Sequence, residues 1–169
     1  VNNGLFISRD GGFFNHWVGV ANSPEISLPA PEGDFIASAQ IRSVIGPGGE
    51  PVNGYNYHAV LSVNLGGTDT LFWGAYQSNS RLMLERSGIN NIGSINIDGL
   101  PAWIQVKKIG NYYTFAYKID ESDPWTDLVD ANGNPISLYV PQKAATVGLM
   151  LKSWYPGGSF TASFGSFRL

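Results

Sequence analysis

Hydrophobic and polar residues along this chain alternate with a period of two, the repeat at which successive side chains of a strand face opposite sides of a sheet. From Asp34 to Ile45, Phe35, Ala37, Ala39 and Ile41 fall on one face, and Ser38, Gln40 and Arg42 on the other. From Tyr57 to Leu65, the core-directed Ala59, Leu61, Val63 and Leu65 alternate with His58, Ser62 and Asn64. Thr70 to Gln77 and Arg81 to Arg86 flank Ser78-Asn79 and predict a hairpin, with Leu82 and Leu84 facing the core and Arg81, Met83 and Glu85 facing away. A second hairpin runs from Trp103 to Ile119. In it Ile104 and Val106 alternate with Trp103, Gln105 and Lys107, a Gly110-Asn111 turn follows, and Tyr113, Phe115, Tyr117 and Ile119 return along the core face. After a stretch broken by Pro124, Pro135 and Pro141, two strand-like segments, Thr146 to Trp154 and Ser159 to Leu169, close the chain. No helical pattern exceeds one turn, so the chain predicts an all-β fold of two packed antiparallel sheets, with residues 1–169 as one domain.

Composition agrees with short strands and tight turns: 21 Gly, 10 Pro and 13% aromatic residues accompany only 14% charged ones. A hydrophobic share of 43% in 169 residues is enough for one sizeable core. The net charge of -3, with ten scattered Lys and Arg residues, offers no footprint for nucleic acid. With no Cys there are no disulfides or thiolate metal sites, and burial and sheet hydrogen bonds must hold the fold. No apolar run approaches the ~20 residues that span a bilayer, so no membrane insertion is expected. A start at Val1, without initiator Met or leader pattern, is what a processed chain or a module of a larger protein would show.

The last 70 or so residues carry a recognisable series of motifs. Pro101-Ala-Trp-Ile-Gln-Val-Lys-Lys-Ile-Gly-Asn leads through Tyr113-Thr-Phe-Ala-Tyr and Pro124-Trp125 to Val147-Gly-Leu-Met and Phe164-Gly-Ser-Phe-Arg-Leu169. A Trp-led strand, a Gly-Asn turn, an aromatic strand, a Trp-Thr motif, a Val-Gly-Leu strand and a final Phe-x-x-Phe strand in this order resemble bacterial domains of the concanavalin-A-like lectin/glucanase superfamily. One turn departs from that pattern, since the usual Ser-x-Asp-Gly before Trp-Thr is here Ile119-Asp-Glu-Ser-Asp-Pro-Trp-Thr126. The resemblance implies a jelly-roll sandwich, export to the cell surface or medium, neighbouring domains in a larger chain, and in many members a structural calcium. It does not choose among lectins, carbohydrate-binding modules, hydrolases, lyases and structural modules.

The residues narrow that choice. A glycosidase needs two carboxyl groups in one cleft, yet the glutamates are Glu25, Glu32, Glu50, Glu85 and Glu121, and only Glu85 sits within a clear strand on the non-core face. The Glu-x-Asp-x-x-Glu strand of family 16 glucanases is absent. His16 and His58 lie in no nucleophile motif. A lyase would take His58 as base with Tyr57 or Tyr76 as acid. Otherwise His58 is a polar position on an exposed face, and His16 a partly buried hydrogen-bonding residue. For a cation, Asp120, Asp123 and Asp127 cluster around Pro124. Asp130-Ala-Asn-Gly-Asn134 echoes the opening of an EF-hand loop but reads more simply as an Asn-Gly turn.

The residues assigned to the non-core faces suit a sugar, whose apolar ring face stacks on indole while its hydroxyls meet amides and charges. These are Trp103, Gln105 and Lys107; Arg81, Met83 and Glu85; Met150, Lys152 and Trp154; and His58, Ser62 and Asn64, with Trp154-Tyr155 entering a Gly-rich loop. Trp73 and Tyr76 extend the surface from the adjacent hairpin. Trp103 alternatively caps the core, and Trp125 reads as a packing residue. The expected function is non-catalytic binding of a polysaccharide or oligosaccharide, with no cofactor required. The contrasting expectation is a protein-interaction or adhesive module. An aromatic groove would favour the first, buried Trp103 and Trp154 the second, and Glu85 converging with His58 in a cleft an enzyme.

Overall fold

A computed structural model describes residues 4–10, 13–46, 48–50, 53–154 and 159–169, with the backbone alone for 53–55. Its elements in chain order are β1 (Leu5–Arg9), β2 (His16–Trp17), β3 (Val20–Ala21), β4 (Glu25–Pro29), β5 (Phe35–Ile45), β6 (Asn53–Gly66), β7 (Asp69–Ser78) and β8 (Arg81–Arg86). They continue as β9 (Ile89–Asn96), β10 (Ala102–Ile109), β11 (Tyr112–Lys118), β12 (Thr126–Asp127), β13 (Ser137–Tyr139), β14 (Thr146–Ser153) and β15 (Phe160–Arg168).

The first sheet has the order β1-β15-β5-β10-β11-β12, with β13 also on β11, and the second the order β4-β14-β6-β7-β8-β9. Every pairing is antiparallel. The fold is therefore an all-β, antiparallel, two-sheet sandwich of jelly-roll type. Chain neighbours such as β5 and β6 lie in different sheets, and this crossing is why the sheets close on one another.

The alternating residues face each other as the sequence pattern requires. Phe35, Ala37, Ala39, Ile41, Ile104, Val106, Tyr113 and Phe115 come from the first sheet, and Ala59, Leu61, Val63, Leu82 and Leu84 from the second, all buried in one core cluster. Trp73 belongs there too. It is fully buried, its ring lies edge-on 6.4 Å from Phe115, and its Nε1 donates across the sandwich to the Ala116 carbonyl at 3.1 Å. The expected place of Trp73 on a binding surface is thus corrected. In β7 the odd positions Leu71, Trp73 and Ala75 point inward, and burial of the indole outweighs its value as an exposed platform.

The second sheet is covered on its other face as well. Phe14 exchanges backbone hydrogen bonds with Ser153, and β2 and β3 form a short hairpin over the sheet. Trp17 stacks on Phe72 at 6.3 Å and 21°, and His16 Nε2 lies 3.1 Å from Thr70 Oγ1. Beneath this flap Val60, Phe72 and Met150 form a second apolar cluster with Trp17. His58 and Ser62 do point away from the main core, but they are fully buried, contrary to the exposed position expected for His58. Alternation reports only which side a residue faces; it is silent on a remote segment folded across that side.

Candidate functional site

Where the flap ends, a cavity of about 310 Å³ opens on the second sheet, lined by Asn15, Trp17, Tyr76, Glu85, Asn90, Lys152 and Trp154. Strand register explains how these residues meet. Lys152 of β14 stands opposite His58 of β6, and His58 opposite Tyr76 of β7. Glu85 of β8 stands opposite Phe72. Between Phe72 and Tyr76 on β7 is Gly74, which pairs with Val60 on one side and Met83 on the other, and a Cβ there would meet the Ala59 carbonyl and the Val60 backbone.

Glu85 is the hub of the cavity floor. Its Oε2 accepts a hydrogen bond from Lys152 Nζ at 2.8 Å and lies 3.1 Å from His58 Nδ1, while His58 Nε2 is 3.2 Å from the Met83 carbonyl. The ammonium of Lys152 also sits 3.9 Å from the Phe72 ring centroid and 4.7 Å from that of Trp17, so a buried charge is held by one carboxylate and two aromatic faces. Burial pushes the Glu85 carboxyl up, but His58 and Lys152 outweigh it and hold the group at about 2. Burial lowers His58, against the pull of Glu85 and with the help of Lys152, so the imidazole is neutral near pH 7. Lys152 is also lowered by burial, with Glu85 opposing.

The walls are aromatic. Tyr76 and Trp154 have ring centroids 5.5 Å apart, and His58 meets Tyr76 edge-on at 5.1 Å. Arg81 stands 5.7 Å behind the Tyr76 ring and donates to Ser94 Oγ, supporting the wall without lining the cavity. Burial raises the Tyr76 hydroxyl, so it remains a neutral donor and acceptor. Glu85 and His58 do converge at the cavity, as expected of an enzyme, but His58 is fully buried and does not line it, so only Glu85 of the pair faces a ligand.

The expected ligand-binding residues do not share one surface. Trp154, Tyr76, Glu85, His58 and Arg81 gather on the second sheet, whereas Trp103, Gln105 and Lys107 of β10 lie on the outer face of the first. This corrects the reading that placed these strand faces along one concave side, because β10 and β8 belong to opposite sheets. Trp103 and Gln105 line a cleft of about 210 Å³ with Ser38, Lys118, Glu121, Trp125, Ser166 and Arg168. Trp125 is 37% exposed there, not packed as its motif suggested. Lys107 is exposed on the same face, and Tyr155 lies outside the described residues.

Among the described residues no group of three or more His, Cys, Asp or Glu side chains is placed to hold a metal ion. Asp123 instead accepts a hydrogen bond from the backbone of Asp120, closing a turn, and Asp127 is in the edge strand β12 opposite Ala116. Asp130 accepts from the backbone N–H groups of Asn134 and Asn132 around Gly133, whose φ is +83°, which makes this loop an Asx-type turn.

Asn15, Trp17 and Asn90 were missing from the residues expected from sequence. Lys152 was expected on a non-core strand face with Trp154 but not singled out as a ligand-binding residue. Trp17 and Asn15 reach the cavity only through the docking of the flap, which no local pattern encodes.

The class defined by this geometry is an antiparallel two-sheet β-sandwich with a small aromatic and charged pocket, and comparison with solved structures agrees on the fold. A protein of unknown function from Saccharomyces cerevisiae superposes with a TM-score of 0.67 at 14% identity, covering 98% of this chain and 86% of its own. Xylan beta-1,4-xylosidase from Bacillus halodurans C-125 also gives 0.67, at 10% identity, over 98% of this chain and 32% of the enzyme. A legume lectin-like domain from Entamoeba histolytica gives 0.54 at 9% identity, over 99% and 84% of the two chains. This chain thus spans about a third of the xylosidase. No family model and no curated protein matches the sequence.

Proposed function

We propose that the protein is a non-catalytic carbohydrate-binding module that holds a short saccharide segment in the flap-covered pocket of the second sheet. The observation that carries this reading is the pairing of Glu85, whose carboxylate is held by Lys152 and His58, with an aromatic wall of Trp17, Tyr76 and Trp154. A general acid or base works best with a pKa near the operating pH. A carboxylate held at about 2 is a poor proton carrier and a strong, fixed acceptor for sugar hydroxyls. Asn15 and Asn90 add donors and acceptors at the rim, and a cavity of about 310 Å³ lies at the small end of ligand sites. Glu85 is also the sole carboxylate among the described lining residues, whereas glycoside hydrolysis calls on two. Structural likeness to a xylosidase and a lectin-like domain is in keeping with a carbohydrate-handling role, in which the module would serve an exported, multidomain bacterial protein.

A second reading rests on Lys152. Burial weakens its hold on a proton, and it shares the pocket with Tyr76, an arrangement suited to proton abstraction by a polysaccharide lyase. One experiment addresses both. A panel of oligosaccharides is titrated against wild type and Trp154→Ala, following tryptophan fluorescence and heat, and each mixture is then assayed for new reducing ends and unsaturated products. Saturable binding that Trp154→Ala weakens, with no product, supports the binding module. Product formation supports the lyase or a hydrolase, and no binding by folded protein across the panel refutes the assignment.

A further inference from the structure

We propose that the cleft on the outer face of the first sheet is a second ligand site, separate from the pocket, and that it takes a carboxylated saccharide such as a uronic-acid oligomer. Trp103 on β10, half-buried, and Trp125 before β12, exposed, line the cleft, and an indole at a cleft wall is a stacking partner for a sugar ring. Lys118 Nζ lies 5.3 Å from the Trp125 ring centroid and donates to the Glu121 carbonyl, which fixes an ammonium beside the indole. Arg168, in register with Ser38 of β5, brings a guanidinium that makes no ion pair or hydrogen bond among the described residues. Gln105 and Ser38 place an amide and a hydroxyl between them.

Arg168 sets the preference for an anion. Lys118 and Arg168 line the cleft against one lining carboxylate, Glu121, while Lys107 on the same face of β10 is offset by Asp120, Asp123 and Asp127 in the segment that carries Trp125. A guanidinium without a partner is suited to bidentate pairing with a carboxylate. The two indoles separate this cleft from a simple cationic patch, since they reward a ligand with a flat apolar face as well as a negative charge. The pocket lies on the other sheet, so the two sites would engage different stretches of glycan and let one domain bridge two chains.

The test titrates oligogalacturonate, its carboxyl-reduced neutral counterpart and an oligoglutamate peptide against wild type, Trp103→Ala, Arg168→Gln and Trp154→Ala, with circular dichroism confirming the fold of each. The expected result is binding of the uronate that weakens with salt, falls about 10- to 100-fold in Arg168→Gln and is lost in Trp103→Ala. Binding that persists in Trp154→Ala, whose change lies in the pocket of the other sheet, belongs to the cleft. Equal binding of the neutral oligomer, equal binding of the acidic peptide, or no uronate binding by folded wild type would overturn the proposal. Loss in Trp154→Ala alone would do the same and return the ligand to the pocket, so this inference fails separately from the pocket reading.

Discussion

Replacing Lys152 by Met removes one partner of the buried ion pair while keeping most of the side chain's contact with Phe72 and Trp17. Lys152 is 1% exposed and Glu85 2%, with 2.8 Å between Nζ and Oε2. At an effective dielectric of about 20 their attraction is about 6 kcal/mol, set against desolvation of several kcal/mol for each ion. The pair's net contribution is therefore small. Its loss on one side is not, because Glu85 would remain a buried carboxylate supported by His58 alone. The expected cost near neutral pH is about 3–5 kcal/mol, or a fall in Tm of roughly 6–20 °C for a chain of this size. Adding Glu85→Gln removes the orphaned charge and should restore about 2 kcal/mol or more. Without Lys152 the Glu85 carboxyl moves up, so the single variant should lose less relative to wild type at about pH 4 than at neutral pH. Urea unfolding of the four proteins, followed by tryptophan fluorescence and circular dichroism, measures the cycle. Single losses that add to within about 0.5 kcal/mol of the double variant would refute the coupling.

Three further outcomes follow from the same structure. His58 and His16 are both lowered from the ordinary 6.5, chiefly by burial, so the folded chain takes up fewer protons than the unfolded one as pH falls through 6.5 and stability should decline from there. The Glu85 contribution, about 3 kcal/mol for a group moved from 4.5 to about 2, is present above 4.5 and lost as pH falls toward 2; urea midpoints flat across both windows would contradict this. Gly74→Ala would set a Cβ onto the Ala59 carbonyl oxygen and 2.8 Å from the Val60 Cα, so it should cost about 3 kcal/mol or more, whereas a thermal midpoint within a degree or so of wild type would argue against the close strand approach. Trp73→Phe leaves the Ala116 carbonyl without its indole donor and opens a void, with an expected loss of about 2–3 kcal/mol by urea unfolding; a loss under about 0.5 kcal/mol would show that the bond across the sandwich contributes little.

The inward-facing residues of β5, β6, β8, β10 and β11 were legible because each strand buries one face against the opposite sheet, and a period of two records that directly. The Gly110-Asn111 hairpin was legible for a similar local reason, since its turn needs a left-handed residue and Gly110 has φ of +56°. Local sequence also carried the Asx turn at Asp130, whose side chain bonds to its own loop. The site was legible only in pieces. Glu85, His58, Tyr76 and Trp154 stood out as polar or aromatic residues on non-core faces, but their meeting depends on the order β14-β6-β7-β8.

What the sequence determined by itself is the secondary structure and which side of each strand is apolar, because these follow from backbone sterics and from burial repeated every second residue. The tertiary structure alone decided which sheet each face belongs to, so that Trp103 and Glu85 came to lie on opposite sides of the molecule and Trp73 in its centre. It also decided that Asn15 and Trp17 would fold back over the second sheet and bury His58, Glu85 and Lys152. Those outcomes depend on contacts between distant segments, where the electrostatics of three charged or polar groups change once water is removed from around them.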